Sequence, residues 1–464
     1  MKSFLVALFF CPLLATSQHY DIDLKSDSLF IHKIAVNILS SDAPYNNLHY
    51  LTKNIGGRLA GSPQMVLAEQ WGYTALKEAG ADNVILQECM VPHWVRGGKD
   101  RAFVIYKDEH GSQQAYNLNV LALGNSIGAG DVGIHAPLIR VNNFDELEAK
   151  KHDVKGKIVF YNNPFDDTLI NPFSAYGKNV VYRSDGASRA AKYGALGVMI
   201  RSMTNTPGNY PHTGSLHYSD SAQKIPAAAM GLEDVKKLNE LFDKNIPVAA
   251  SLFTYGYMLP DTIGHNVIGE LTGSEHPEEI ITVGGHLDSW DPAEGANDDG
   301  TGVVQTIEVL RTFVALGYRP KHTIRFVLFA NEENGTRGAK KYAEEARAKK
   351  EKHIFGFESD AGGFTPRGFG FDVADSTWKK LNEWKVLFIP YYGDRFEKGG
   401  DGADIGPLKE NFKTPLAGLF PDSQRYFYIH HAATDVFENV DIREMKLGAI
   451  NMAALIYLVD KYGL

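Results

Sequence analysis

The sequence predicts an α/β fold in which a mostly parallel mixed sheet is covered by helices on both faces. After residue 258, short apolar segments alternate with longer amphipathic segments, a rhythm that is typical of parallel strands joined by crossover helices. The apolar run at residues 280–283 stops at two glycines and is followed at once by His286 and Asp288. Such a run fits a buried strand that ends at a functional site.

The composition indicates a soluble globular chain of two or three domains. The chain has 464 residues, of which 44% are hydrophobic and 22% charged, and this length exceeds that of one ordinary core. The net charge is −9, and no block of Lys or Arg interrupts the sequence. These features argue against nucleic acid as a partner.

The N-terminus has the pattern of a signal peptide. Lys2 precedes an apolar stretch of 12 residues, 4–15, which leads to the small-residue pattern Ala15-Thr16-Ser17. We therefore expect residues 1–17 to be removed and the mature protein to be secreted or periplasmic. The apolar stretch is too short to span a bilayer, and no later run suggests a membrane segment. Cys89 is then the only cysteine, predicted to be buried, and no disulfide can form within the mature chain.

The first half of the chain divides into a helical segment and a second, β-rich region. Helical spacing predicts mainly helices over residues 28–80 with a loop at 56–62, and strands are expected at 102–106 and 118–123. Residues 130–257 hold strand patterns and a short helix at 187–193 but no ligand-like cluster of histidines and acids. We interpret them as an insert that covers a cleft, so that residues 18–129 and 258–464 form the main domain.

The second half predicts the elements of the main sheet. Residues 266–271 and 280–283 are expected to be adjacent strands, and 442–462 a long apolar helix that forms either core or part of a dimer face. Between them the patterns predict helices at 301–316 and 338–350 and strands at 323–330, 354–359 and 416–420.

Several of these segments end in side chains that bind metals or move protons. They are His286 with Asp288, Glu332-Glu333, Glu358 with Asp360, His430-His431 with Asp435, and the loop that carries Asp298 and Asp299. One imidazole and one carboxylate for each metal, with one further carboxylate shared, is the set that a two-zinc hydrolytic site requires. Asp288 and Asp435 are expected to accept the second N–H of His286 and His431.

Together these motifs resemble those of the co-catalytic zinc exopeptidases, which include bacterial leucyl aminopeptidases and glutamate carboxypeptidases. The resemblance covers the whole mature chain and implies the zinc exopeptidase fold, with a protease-associated domain inserted at residues 130–257. It implies that Asp298 bridges two zinc ions, that His286 and Asp360 complete one site, and that Glu333 and His431 complete the other. It further implies that Glu332 is the general base and that the Asp298–Asp299 peptide bond is cis.

The expected function is hydrolysis of short peptides by an exported two-zinc exopeptidase of the dipeptidase or carboxypeptidase type. Aminopeptidase activity stays open, because no spacing rule assigns the groups that bind a free amine or a free carboxylate. All ligand positions and the base are filled, which argues against a non-catalytic receptor-like protein on the same scaffold, and no phosphate-binding loop appears. We expect no nucleic-acid or membrane partner; a homodimer is possible.

Two further residues have two interpretations each. Arg58 lies in the glycine-rich loop 56–62 and is expected to form a structural salt bridge or, alternatively, to bind a substrate carboxylate. Asp404 lies in a loop after two glycines and is either a substrate-pocket residue or a plain turn residue. His430 is a candidate for the substrate pocket.

Overall fold

The computed structural model describes residues 23–400 and 402–464. The predicted signal peptide, residues 1–17, lies outside the described part. Within that part, every helix is too short or too polar to cross a lipid bilayer.

The described chain contains fourteen α-helices and sixteen strands, numbered here in chain order. The helices are α1 Leu24–Ser40, α2 Ala43–His49, α3 Pro63–Glu78, α4 Phe144–Ala149, α5 Lys151–Val154, α6 Pro172–Ser184, α7 Gly186–Ala191, α8 Leu232–Asp243, α9 Thr301–Ala315, α10 Arg337–Lys349, α11 Asp375–Phe388, α12 Gly406–Phe412, α13 Tyr426–Ile429 and α14 Ile442–Tyr462. The strands are β1 Asn83–Val95, β2 Arg101–Lys107, β3 Gln113–Leu118, β4 Val120–Ala122, β5 Ile134–Val141, β6 Ile158–Tyr161, β7 Gly197–Arg201, β8 Ala227–Met230, β9 Val248–Phe253, β10 Tyr257–Leu271, β11 His276–His286, β12 His322–Phe329, β13 Lys352–Glu358, β14 Pro366–Asp372, β15 Arg395–Lys398 and β16 Leu416–Pro421.

The main sheet has the order β1-β10-β12-β11-β13-β16-β14-β15. The strands β12, β11, β13 and β16 at its centre are parallel to one another. One face packs against α1, α3, α9 and α14, and the other packs against α10 and α12. The central strands are almost entirely apolar because both of their faces are covered. The predicted α/β class, with helices on both faces of a mixed sheet, is confirmed.

The predicted adjacency of the strands at 266–271 and 280–283 is wrong, because β12 lies between β10 and β11. The short connection 272–275 crosses the start of β12. A Cβ atom added to Gly273 would lie 2.6 Å from the backbone at Lys321 and His322. A glycine at this crossing therefore lets β10 and β11 sit on opposite sides of a later strand.

Helix α14 belongs to the core. Residues 448–460 are buried without interruption, and the helix contacts α1 and α9. A helix that is apolar on all sides is expected in such a position. These residues are therefore not available as a dimer face. The homodimer stays a prediction.

A second sheet of eight strands has the order β3-β2-β9-β5-β6-β7-β8-β4 and its own hydrophobic cores. Three of its strands, β2 to β4, precede residue 130, so the sequence division assigned them to the main domain. We call residues 101–253 the insert. It carries helices α4 to α8, and it is therefore more helical than the β-rich pattern predicts. The antiparallel ribbon of β1 and β10 leads the chain into and out of the insert.

Candidate metal centre

The candidate site lies at the carboxyl ends of neighbouring parallel strands. Strand β11 lies between β12 and β13 and ends at His286. Glu332 and Glu333 follow β12, and Asp360 follows β13. Because parallel strands end at the same edge of a sheet, side chains far apart in sequence converge there.

Asp298 is shared by two groups of potential metal ligands. Its Oδ1 lies 3.2 Å from His286 Nε2, which is 3.4 Å from Asp360 Oδ1. Its Oδ2 lies 3.3 Å from His431 Nε2, which is 3.1 Å from Glu333 Oε2. Each group therefore has one imidazole and one carboxylate of its own, and the structure brings all five predicted ligands together.

The donor atoms of this cluster fit bound cations. Asp298 Oδ2 and Glu333 Oε1 are buried and accept no hydrogen bond, an arrangement that is unfavourable unless a positive charge compensates it. Imidazole nitrogens and carboxylate oxygens are ligands that zinc prefers. In the described part of the chain, the groups of three or more such atoms within 4.8 Å of one another all belong to this cluster and include either Asp298 or Asp299.

Backbone hydrogen bonds fix the loop that carries Asp298. The Asp435 carboxylate accepts hydrogen bonds from the N–H of Asp298 at 3.1 Å and from the N–H of the preceding residue at 2.8 Å. The Asp299 carboxylate accepts from the N–H of His286 and of Gly302, both at 3.0 Å. The Asp298–Asp299 peptide bond is cis, as the family resemblance implies.

Asp288 supports the site in a different way from the one predicted. His286 Nδ1 lies 3.0 Å from the main-chain oxygen of Asp288 but 3.7 Å from its carboxylate. The carboxylate instead accepts hydrogen bonds from the N–H groups of Glu332 at 3.0 Å and Glu333 at 3.3 Å. Asp288 thus orients the imidazole through its carbonyl group and holds the turn after β12 through its side chain.

A residue of the insert forms hydrogen bonds with His431, a contact that the sequence did not predict. His431 Nδ1 donates to the carbonyl oxygen of Thr213 at 3.2 Å, and the N–H of Thr213 donates to the carbonyl oxygen of His431 at 2.9 Å. The neighbouring buried His212 donates from Nδ1 to the carbonyl oxygen of His430 at 2.7 Å. The predicted partner, Asp435, binds the Asp298 loop instead. His430 Nε2 lies 3.9 Å from Asp298 Oδ2, so His431 is the closer of the two.

A cavity of about 480 Å³ opens beside the cluster. Glu332 and His430 line it, and so do two basic side chains, Arg183 of the insert and Lys340 of α10. Arg183 is nearly buried and donates to the hydroxyl group of Tyr176 at 2.9 Å. No spacing in the sequence connects Arg183 with the metal ligands, because the insert is a separate module in the chain.

Neither interpretation of Arg58 is correct. Its guanidinium group is fully buried and donates to the main-chain oxygens of Leu287 at 2.5 Å, Glu294 at 2.8 Å and Gly295 at 3.0 Å. Burial lowers the pKa of Arg58 to about 10, although surrounding carboxylates oppose this shift. Arg58 therefore holds both ends of the backbone segment that connects His286 with Asp298.

Asp404 is more than a surface turn residue. It is fully buried, and both of its carboxylate oxygens lack hydrogen-bond partners. Its N–H donates to Glu358 Oε2 at 3.0 Å. Burial and then the charge of Glu358 raise the pKa of Asp404 well above its usual value. Burial and then Asp360 raise the pKa of Glu358 to about 8.

Burial and mutual charge also shift the groups at the centre of the site. Burial, and then Asp298, raise the pKa of Glu333 to about 7. Burial opposes the charged form of His431, but the nearby Glu333 and Asp298 carboxylates raise its pKa to about 10. Burial and the charges of Asp360 and Glu333 raise the pKa of Glu332 well above its usual value. Shifts of this kind are concentrated at functional sites.

Comparison with known proteins agrees with this chemistry. The profile of peptidase family M28 matches residues 266–456. Carboxypeptidase Q from Mus musculus is 35% identical over 419 residues, which are 89% of this chain and 85% of that protein. The crystal structure of a peptidase M28 precursor from Shewanella amazonensis superposes with a TM-score of 0.88 at 30% identity and covers 94% of this chain and 97% of that one. A zinc aminopeptidase from Bacillus subtilis has a TM-score of 0.63 at 20% identity, covers 90% of this chain and 94% of that one, and shares the fold.

These relationships extend over the insert as well as the strands that carry the metal cluster. The motifs of the sequence, including residues 358–362 and the doubled His430-His431, also resemble Carboxypeptidase Q in particular, and the full-length relatives confirm the family that those motifs indicate. The chain belongs to peptidase family M28 and is a zinc-dependent metallo-exopeptidase.

Proposed function

We propose that the protein is an exported enzyme that uses two zinc ions to hydrolyse short peptides, and that it is a dipeptidase or carboxypeptidase similar to Carboxypeptidase Q. The observation that carries this proposal is Asp298, whose two oxygens face separate pairs of one histidine and one carboxylate. A carboxylate shared in this way suits a two-metal site. His286 and Asp360 would hold one ion, and His431 and Glu333 would hold the other.

Glu332 is the proposed general base. Zinc ions bound to this cluster would polarise the carbonyl group of the scissile peptide and make a nearby water more acidic. The close contacts of His286 and His431 are made by other carboxylates, and the side chain of Glu332 lines the cavity. It can therefore accept a proton from the attacking water and pass it to the leaving amine. Asp288 would keep it in place through its backbone N–H.

The positive charges of the cavity support recognition of a free carboxylate. Arg183 and Lys340 line the same cavity as Glu332, and a guanidinium group matches the geometry of a carboxylate. A peptide whose scissile bond lies at the metal cluster would bring its C-terminal carboxylate towards these side chains. This favours a dipeptidase or carboxypeptidase over an aminopeptidase, which is the alternative that the structural relatives keep open.

Export is proposed from the sequence alone. The basic start, the short apolar stretch and the small residues before residue 18 form a signal-peptide pattern. Sequencing the N-terminus of protein collected from the medium or periplasm tests this part of the proposal.

Peptides with free and blocked ends test the activity. We expect metal-dependent hydrolysis of alanyl-alanine that a chelator abolishes and zinc restores. A C-terminal amide should lower kcat/KM by more than about tenfold if a cationic side chain binds the carboxylate. Unchanged hydrolysis of the amide together with loss of the N-acetylated peptide would instead favour an aminopeptidase. Zinc binding without hydrolysis of any peptide would favour the receptor-like alternative.

A further inference from the structure

A second cavity adjoins the metal cluster on the Asp360 side. Its volume is about 470 Å³, and Glu358, Asp360 and Ala361 line one of its walls. Asp360 and Phe173 also line the first cavity, so the two cavities are neighbours. A peptide whose scissile bond lies at the cluster would therefore extend one residue into each cavity.

Glu358 has an unused oxygen in the wall of this second cavity. Its side chain is anchored at Oε2, which accepts hydrogen bonds from the N–H groups of Asp404 at 3.0 Å and Ile405 at 2.9 Å. Its other oxygen, Oε1, is buried and accepts none, and only 2% of the residue is exposed. A buried carboxylate oxygen without a donor is unfavourable. Within the described residues Oε1 has no hydrogen-bond donor, and a ligand group in the cavity would supply one.

Glycine residues pack against the Glu358 carboxylate. Gly402, in the opposite wall, lies so close that an added Cβ atom would be 2.2 Å from the Glu358 carboxylate. Gly399 and Gly400 line the same part of the cavity. A side chain at position 402 would therefore displace the Glu358 carboxylate, which the glycine leaves in the wall of the cavity.

We propose that Glu358 binds an ammonium group of the substrate residue that lies on the Asp360 side of the cluster. An ammonium group supplies both the missing donor and the missing positive charge, and its hydrogen bond to a carboxylate is among the strong ones. The inference rests on the proposed peptidase function. It places opposite charges at the two ends of the substrate site, with Arg183 and Lys340 in one cavity and Glu358 in the other.

The ammonium group could be the α-ammonium group or that of a lysine side chain, and substrate choice separates the two. The test compares wild-type enzyme with Glu358→Gln, whose amide oxygen can still accept both backbone N–H groups. Substrates are Ala-Ala, norleucyl-Ala and Lys-Ala, and N-acetyl-Ala-Ala serves as an inhibitor. If the α-ammonium group binds, kcat/KM falls about 10- to 100-fold for all three substrates, while inhibition by the acetylated peptide is unchanged. If the side chain binds, only the preference for Lys-Ala over norleucyl-Ala falls by that factor.

Two further variants and zinc content complete the experiment. Gly402→Ala should displace the Glu358 carboxylate and produce the same pattern if Glu358→Gln does not fold. Glu397→Gln removes a carboxylate that already pairs with Arg395 at 2.5 Å beside the same cavity, and should leave the substrate ratios within about twofold of wild type. Changes below threefold in both zinc-loaded Glu358→Gln and Gly402→Ala would overturn the inference. Absence of metal-dependent hydrolysis in the wild type would overturn the proposed function and the inference with it.

Discussion

Replacing Glu332 by glutamine should stop turnover while zinc stays bound. The substitution preserves size but removes the proton acceptor, and a general base contributes about 10² to 10⁴ in rate, or about 3 to 5 kcal/mol of activation free energy. The structure predicts little effect on metal binding because the imidazoles of His286 and His431 contact other carboxylates. The hydrogen bond from the Glu332 N–H to Asp288 at 3.0 Å does not depend on the side chain.

The neighbouring substitution Glu333→Gln is the matched control, because Glu333 Oε2 lies 3.1 Å from His431 Nε2. It should weaken zinc binding, whereas Glu332→Gln should not. The assay measures kcat on Ala-Ala, and zinc by competition with a chelator of known affinity. Turnover of Glu332→Gln above a tenth of wild type would remove Glu332 from the mechanism. Equal loss of zinc in both variants would show that the two glutamates share one role.

Three further predictions concern the support of the site and its protons. Arg58→Met should lower the free energy of unfolding by about 3 kcal/mol in urea denaturation, because three buried carbonyl oxygens lose a charged donor; a loss below 0.5 kcal/mol would contradict this. His212→Leu should weaken zinc binding about tenfold to 100-fold, because it removes the donor to the His430 carbonyl group that holds the backbone next to His431; His212→Asn, which keeps a donor near Nδ1, should retain most of the binding, and equal losses would contradict a positioning role. In metal-free protein the pKa of His431 is raised from 6.5 to about 10, so its contribution to stability is full below about pH 6.5 and is lost as the pH rises to about 10. The melting temperature of the metal-free protein should therefore fall over this range while zinc affinity rises, since zinc needs the deprotonated ring; a metal-free melting temperature that rises instead would contradict the assignment.

Local sequence patterns indicate that His286, Glu333 and Asp360 lie near one another, whereas the family resemblance supplied the full set of expected ligands with Asp298 and His431. These three residues end or follow apolar segments, and the parallel order of β12, β11 and β13 carries the segment ends to one edge of the sheet. His286, Glu333 and Asp360 could therefore be predicted without knowing the loops between them. The roles of the residues remain proposals, but their convergence required only the alternation of strands and helices.

Sequence spacing failed where the backbone leaves regular structure. Asp288 was expected to accept the second N–H of His286, but β11 ends at His286, so the strand alternation that would place both side chains on one face stops there. Asp435 lies four residues after His431, yet His431 has a positive φ of 58° and residues 432–435 are not helical. The four-residue spacing therefore does not place the two side chains on one face.

Contacts between residues far apart in the chain could not be predicted from local sequence patterns. Thr213 and His431 are 218 positions apart, and neither stands in a recognisable motif with the other. The pairing of β2, which precedes residue 130, with β9 likewise joins segments more than 140 residues apart. Pairings of this kind depend on the folded topology and cannot be read from local periodicity.

Both ends of the insert are connected to the main sheet by one antiparallel ribbon, formed by β1 and β10. Val95 and Tyr257 face each other at its tip, and chain segments attached at neighbouring points are easily gained or lost in evolution. A short turn between these two residues would close the chain without redirecting either strand. In a protein without the insert, however, the His431 ring would lose its hydrogen bond to the carbonyl oxygen of Thr213. Removing the insert would thus preserve the strand pairing of the ribbon but take away a hydrogen-bond partner of a proposed metal ligand.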